Sequence, residues 1–322
     1  MQNQKYNADF WKNKKILVTG GRGFVGSHVV KNLIEKRGVL KESIVIPKSK
    51  SCDLRIYNDT QEVLKGINIV LHLAADVGGI AYSSSHPATQ MRNCLLIDAN
   101  VFEAASNEKV ERMVCVSSAV AYPVDAPSPL KEEYLFLGEP ARGGYGYGFA
   151  KRMSTVLARA YKEEKGLNAS VLLSSNAYGP GDNFDLSHGH VIPSLIRKCL
   201  SEKELVVWGD GTQKRDFFYV GDFAEGVVLA AEKLGTADPV NIGSADPITI
   251  AELVKSIVRL TNFKGKIIFD STKPQGQKIR SVSIEKAKSL MGFFPSFTLE
   301  EGIKRTIDWY LKHDGKRDSK KS

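Results

Sequence analysis

Apolar residues along this chain fall into two alternating kinds of run. Short, nearly continuous ones, KKILVT (14–19), SIVIP (43–47), INIVLHLAA (67–75), ERMVCVSS (111–118) and NASVLLSS (168–175), read as strands, and 67–75 is apolar enough to be covered on both faces. Between them lie longer segments with helical spacing. FVGSHVVKNLIEKRG (24–38) carries Phe24, Val25, Val29, Leu33 and Ile34 at that spacing; 87–109 and 147–166 are further helices, the last ending at a glycine stop. Strand–helix alternation predicts right-handed crossovers, and so an α/β, Rossmann-type doubly wound parallel sheet with helices on both faces.

After residue 176 the pattern changes. A loop rich in Gly, Pro, Asp and His (YGPGDNFDLSHGH, 178–190) is followed by short elements: a helix at 191–200, strand LVVW, strand DFFYV, a helix at 221–234, strand PVNIG, a helix at 249–260, strand KIIFD and a last helix at 299–312. Two units are expected: 1–176, which also receives elements from about 214–242, and a smaller, discontinuous mixed α/β unit, 177–322.

The chain has 322 residues, 42% hydrophobic and 25% charged, which excludes a mostly disordered or fibrous chain. No apolar run reaches a membrane span, so no membrane association is expected, and MQNQKYNADFWKNKK lacks the apolar core of a signal peptide. The four cysteines, Cys52, Cys94, Cys115 and Cys199, are scattered without a CxxC pair, so neither a disulfide framework nor a metal site is expected, and a reducing cytoplasm is the default location. The net charge of +9 is dispersed and partly in the tail KHDGKRDSKKS, with no nucleic-acid motif; a phosphate-bearing ligand makes better use of it.

Thr19-Gly20-Gly21-Arg22-Gly23-Phe24-Val25-Gly26 lies between the first strand and the first helix. Glycines at 20, 23 and 26 let a pyrophosphate approach the backbone, and the helix beyond offers free N–H donors. A glycine triplet alone would also suit a plain tight turn; with a strand before it and a helix after it, a dinucleotide cradle is expected. NAD-preferring cradles hold an acid about twenty residues on, but here the second strand runs out in Ile46-Pro47-Lys48-Ser49-Lys50, with Arg22 in the turn itself. Cations without an acid favour NADP(H) over NAD(H), although Lys48 and Lys50 read equally as plain surface lysines. Asp53, before Leu54, is placed either for an adenine amino group or as a turn residue. Tyr147 and Lys151 stand four apart on one helix face, where the ammonium favours the phenolate and lowers the tyrosine's pKa. Ser118 ends a strand at the carboxyl edge of the sheet, where ligands bind in this architecture.

Together these features resemble the extended short-chain dehydrogenase/reductase family, through TGGRGFVG, HLAA (72–75), SSAVAYP (117–123), YGFAK (147–151) and NAYGP (176–180). The resemblance implies Ser118, Tyr147 and Lys151 as catalytic groups. It implies a cofactor seat at Gly20, Arg22, Gly23, Phe24, Val25, Asp53, Leu54, Ala74, Ala75, Lys151 and Asn176, and a nucleotide-linked sugar as substrate. It also implies a homodimer, because the helices matching 87–109 and 147–166 pair across a two-fold axis in that family.

Further stretches, Val77-Gly78-Gly79-Ile80, Asp182-Asn183-Phe184, SHGHVIP (187–193), VVWGDGTQKRDFFYVGD (206–222) and KGKIIFDSTKPQG (264–276), are similar to the GDP-L-fucose synthase branch. That likeness implies a GDP-linked 4-keto-6-deoxy sugar, with Val77, Gly78, Gly79, Asn176, Asn183, Trp208 and Arg215 on the substrate side. The branch epimerises C3 and C5 with a cysteine and a histidine, then reduces C4. His190 matches the histidine, but Val120 stands at the cysteine's position. Cys115 lies five residues earlier, on the opposite face of an extended strand and roughly 17 Å away. C4 reduction without C3/C5 epimerisation is therefore expected. The alternative is an NAD-dependent nucleotide-sugar epimerase (a 4-epimerase or 3,5-epimerase), which uses the same Ser, Tyr and Lys.

Overall fold

A computed structural model describes residues 7–186, 189–273 and 277–313. Ser187 and His188 of the SHGH motif, 274–276 of the KPQG segment and the basic tail after 313 lie outside the described residues. The first half comprises α1 (Ala8–Trp11), β1 (Ile16–Thr19), α2 (Phe24–Arg37), β2 (Ile44–Val45), α3 (Tyr57–Leu64), β3 (Ile69–His72), α4 (Ile80–Ser85), α5 (Pro87–Asn107), β4 (Arg112–Ser118), α6 (Tyr145–Lys165) and β5 (Ala169–Ser174). The second comprises β6 (Asn176–Tyr178), α7 (Val191–Ser201), β7 (Glu204–Trp208), β8 (Lys214–Arg215), β9 (Phe217–Tyr219), α8 (Val220–Lys233), β10 (Val240–Ile242), β11 (Ile248–Thr249), α9 (Ile250–Thr261), β12 (Lys266–Asp270), β13 (Ile279–Arg280), α10 (Glu285–Met291) and α11 (Leu299–His313).

Six parallel strands form the main sheet in the order β2-β1-β3-β4-β5-β10, the doubly wound architecture that the alternating runs predict. The order reverses between β1 and β3, which opens a crevice at their carboxyl ends. One face of the sheet is covered by α2 and α8 around Val29, Leu33, Val227 and Val228; the other by α3, α5 and α6 around Leu64, Val101, Phe102 and Ala158. Burial on both faces is why these strands are apolar throughout rather than alternating. A third cluster, built on Ile192, Leu205, Leu253 and Ile303, holds the second half together. Strands β2 and β3 are shorter than the apolar runs 43–47 and 67–75, since only Ile44–Val45 and Ile69–His72 pair in the sheet. Among the described residues no helix is long and apolar enough to cross a membrane.

A buried charge cluster ties α2 to α8 and α1. Arg37, 2% exposed, donates to Glu225 at 2.6 and 2.8 Å and to Glu232 at 3.1 Å, while the Trp11 indole N–H donates to Glu232 at 2.7 Å. Burial pushes the Glu225 carboxyl up, but hydrogen bonds from Arg37 and Asn32 and the nearby cations outweigh it and hold the group at about 2. A folded pKa below the unfolded value contributes stability above pH 4.5 that is lost as pH falls toward 2. Replacing Arg37 by Met leaves two carboxylates in the interior without their buried cation, an expected loss of about 3–5 kcal/mol. Denaturant unfolding of Arg37→Met checks this. The variant should gain stability on acidification from pH 7, as its stranded carboxylates take up protons, where the parent protein loses it.

Candidate active site

The glycine turn caps the crevice between β1 and β3. Gly20 has φ +69° and lies against the chain leaving β3: a Cβ there would sit 3.0 Å from the Ala74 nitrogen. A Cβ on Gly26 would sit 2.1 Å from the Gly20 carbonyl oxygen, so the turn can fold onto α2 only with glycine at 26. A Cβ on Gly23 would meet only the Gly20 oxygen, at 3.2 Å. Helix α2 starts from Gly23 with no capping side chain, which leaves the N–H donors of its first turn for an anion. These features fit a pyrophosphate. Phe24 and Val25 open that turn half-buried, and Ala74, whose backbone abuts Gly20, and Ala75 are half-buried as well.

Arg22, Lys48 and Lys50 are exposed. The position of Gly21 abuts Ile46, since a Cβ there would lie 2.9 Å from Ile46 Cγ2, so the loop carrying Lys48 leaves the sheet beside the turn carrying Arg22. Leu54 is buried next to Asp53. The Asp53 carboxylate is already held by Arg55, at 2.6 Å from Nη2 and 3.0 Å from the backbone nitrogen, which keeps it down at about 2. An adenine amino group would have to share it with Arg55.

Helix α6 presents Tyr147 and Lys151 beside the end of β4. Three contacts fix this registry. The Ser117 hydroxyl donates to the Lys151 carbonyl at 2.6 Å, Lys151 Nζ donates to the Val116 carbonyl at 3.1 Å, and Arg152 donates to the Ala121 carbonyl at 2.7 and 2.9 Å. Close approach is needed too, since a Cβ on Gly148 would sit 2.9 Å from the Val120 carbonyl oxygen. Ser118 ends β4, its Oγ accepting the Val120 N–H at 3.4 Å, and Lys151 Nζ lies 6.0 Å from the Tyr147 ring centre. The tyrosine corrects one expectation. Burial raises its pKa by more than Lys151 lowers it, so the phenol is held protonated in the free protein. It is thus a proton donor at neutral pH rather than a phenolate.

His190 precedes α7 and is half exposed. Its Nδ1–H donates to the buried Asp182 carboxylate at 2.9 Å, a bond that outweighs desolvation and raises the imidazole's pKa. Val120 lies in a one-turn 3-10 segment, Ala119–Ala121, and not on an extended strand, so the alternation argument for it stops at Ser118. Cys115 is fully buried among the core residues under α5 and α6, where burial pushes its thiol up. Tyr122 is also fully buried, its hydroxyl donating to Asn241 at 2.7 Å.

On the substrate side, Asn176 is exposed just beyond β5, and Val77 is exposed beside half-buried Gly78 and Gly79 at the start of α4. Asn183 is exposed, its Oδ1 accepting the Asp185 N–H at 2.9 Å; Trp208 is 61% exposed at the end of β7. Arg215 donates to the carbonyls of Lys214 and Gln277. Sequence reasoning missed Arg280, the direct register partner of Arg215 across β8 and β13. Arg280 donates to the Ala119 carbonyl at 2.5 Å, in the turn after Ser118, and burial together with Arg215 lowers its pKa. Two guanidinium groups opposed on one sheet face repel unless an anion joins them. A two-residue strand carries no periodicity to reveal the pairing.

A phosphate cradle at a topological switch point, with a Ser, Tyr and Lys set beside it, defines a dinucleotide-dependent α/β enzyme. Residues 16–243 match the NAD dependent epimerase/dehydratase family, and the chain belongs to it. It is 32% identical to GDP-L-fucose synthase of Sinorhizobium fredii, over 93% of this chain and 96% of that protein, and 33% identical to GDP-L-fucose synthase 1 of Arabidopsis thaliana, over 94% of each. Among solved structures it is similar to a GDP-6-OMe-4-keto-L-xylo-heptose reductase from C. jejuni (TM-score 0.87, 25% identity, covering 94% of this chain and 99% of that one). It is also similar to a GDP-L-fucose synthetase from Naegleria fowleri bound to NADP (TM-score 0.86, 27% identity, 94% and 93%).

Gly26→Ala should weaken dinucleotide binding at least tenfold, because the turn must open before the new methyl fits. Fluorescence titration of the cofactor onto the folded variant measures this.

Proposed function

We propose that this protein is an NADPH-dependent C4 reductase of a GDP-linked 4-keto-6-deoxy sugar that leaves C3 and C5 unchanged. The observation that carries the reading is the contrast at the end of β4: α6, with Tyr147 and Lys151, packs against the strand that ends in Ser118, while Val120 offers no proton two residues on. Relatives named GDP-L-fucose synthase and a neighbour named as a GDP-keto-heptose reductase support the substrate class, and NADP-bound neighbours support the cofactor. In this reading residues 1–176, with α8 and β10, seat the cofactor, and the rest of 177–322 seats the sugar nucleotide.

The glycine turn and the first turn of α2 would hold the NADPH pyrophosphate, Arg22 the 2′-phosphate, and Lys151 the nicotinamide ribose. Bound NADPH supplies a hydride for C4. Tyr147, held protonated, gives its proton to the C4 oxygen, while the Ser118 hydroxyl hydrogen-bonds that oxygen and stabilises its growing charge. Arg215 and Arg280 grip the diphosphate, and Trp208 offers an exposed ring to the base. Epimerisation needs a base on one face of C3 or C5 and an acid on the other; His190 would serve one face, and neither Val120 nor the buried Cys115 and Tyr122 would serve the other. His190, hydrogen-bonded to Asp182, then orients substrate.

Incubation with NADPH and a panel of GDP-, dTDP- and UDP-linked 4-keto sugars, with product NMR, tests the reading. Consumption of NADPH with a GDP substrate supports it. NAD retained through purification, with no net redox, would favour a nucleotide-sugar epimerase instead. Tyr147→Phe should lose at least about a hundredfold in turnover, as expected for a missing general acid. His190→Asn should raise KM more than it lowers kcat. NADPH should bind more tightly than NADH, and Arg22→Ala should narrow the gap; equal affinities in the unmutated protein would contradict the 2′-phosphate assignment. Met153 and Val156 lie outward on α6, each 37% exposed, as a surface for a second copy. Light scattering at micromolar concentration should return the mass of two chains.

A further inference from the structure

Asp98 is 1% exposed, in the middle of α5, where the surrounding run CLLIDANVF is mostly apolar. An ionised carboxylate is tolerated there only if hydrogen-bonded and paired with a cation. Its Oδ1 accepts from His72 Nε2–H at 3.1 Å and its Oδ2 from the Ser154 hydroxyl at 2.6 Å. On its other ring nitrogen His72 meets the Thr19 hydroxyl at 2.7 Å. Thr19 Oγ1 accepts the N–H groups of Leu73 and Ala74, each at 3.1 Å. A carboxylate can only accept, and both lone pairs of Thr19 are used, so one proton arrangement satisfies the whole chain: Thr19 O–H to Nδ1, and Nε2–H to Asp98. Thr19 is the last residue of β1, directly before Gly20. Ser154 lies three residues after Lys151, on the same face of α6.

We propose that Asp98 is a positioning residue for Lys151: through Ser154 it holds the face of α6 that carries the lysine, through His72 and Thr19 it ties that face to the phosphate turn, and its charge acts on the ammonium across the core without touching it. The proposal rests on the reading of Lys151 given above. Burial alone would lower the lysine's pKa, yet Asp98, followed by Tyr147 and the two nearby thiols, holds it above the ordinary value. Burial likewise pushes Asp98 up, and Lys151, His72 and Ser154 together bring it below the usual carboxylate value. The charged and titratable groups around the pair are His72 from β3, Cys115 from β4, Cys94 from α5, Tyr147 from α6 and Asp76 from the segment after β3. The ligand atoms of His72, Asp98 and Cys115 lie within 4.8 Å of one another, but the hydrogen bonds from His72 and Ser154 already engage both carboxylate oxygens, so the trio carries no metal-site proposal.

The test is NMR titration of side-chain-labelled lysines in the full-length protein, with the Lys151 signal assigned by its loss in Lys151→Arg. In the unmutated protein Lys151 should remain an ammonium up to at least the ordinary lysine value of 10.5. Asp98→Asn, which keeps the shape and removes the charge, should lower the Lys151 midpoint by at least one unit, and Asp98→Glu should restore most of it. Titration of Lys151 well below 10.5 in the unmutated protein overturns the proposal even if no Asp98 variant folds. An unchanged midpoint in folded Asp98→Asn also overturns it. The readout needs neither cofactor nor sugar, so its failure is separate from failure to turn over a keto sugar.

Discussion

A carboxylate sealed from water sets the terms on which this site is assembled. Asp98 has to collect its partners from three other elements, and those partners, His72 on β3, Ser154 on α6 and, through His72, Thr19 on β1, stand at the places where a cofactor's phosphates and a reacting carbonyl would meet. Leaving any of them unpaired in the core costs on the order of 1–3 kcal/mol, more for the charge, so strand ends and helix faces are held in one relative position. The glycine turn then has a fixed wall to fold against, at Ala74, and α6 has a fixed depth at which to present Tyr147 and Lys151.

From that frame the proposed chemistry follows by what is close and what is not. The tyrosine is protonated because burial dominates its surroundings, which suits a group that gives a proton to a new alkoxide. The histidine at 190 has a carboxylate partner and an exposed edge. In the proposed reading, the described residues of the turn after Ser118 offer no second proton carrier. Val120 has none, Cys115 is sealed in the core beneath α5 and α6, and the Tyr122 hydroxyl is committed to Asn241. The proposed reading therefore separates reduction from epimerisation.

Much of this was legible in the residues. Strands buried on both faces announce themselves as short apolar runs, and glycines spaced by three before a helix announce the cradle, because both constraints act locally. What escaped was non-local or short. Helices α3, α4 and α10 have eight residues or fewer and leave little periodicity. Arg280 acquires meaning only when β13 pairs with β8 and brings it opposite Arg215. Asp53, read as a possible adenine ligand, is held by Arg55 two residues on. Asp98 and His72 sit inside apolar runs as isolated polar residues, and nothing in their spacing shows that the fold makes them neighbours.

The claim that most needs a direct answer is that hydride transfer proceeds here without proton exchange at C3 and C5. The measurement is turnover with NADPH in D2O of a GDP-4-keto sugar whose C3 and C5 already have the product configuration, read by NMR of the product. The account predicts a reduced sugar with no deuterium at C3 or C5 beyond the enzyme-free rate. Rapid, enzyme-dependent deuterium at both carbons would contradict it, and would mean that some other group or a bound water performs the proton transfer that Val120 cannot.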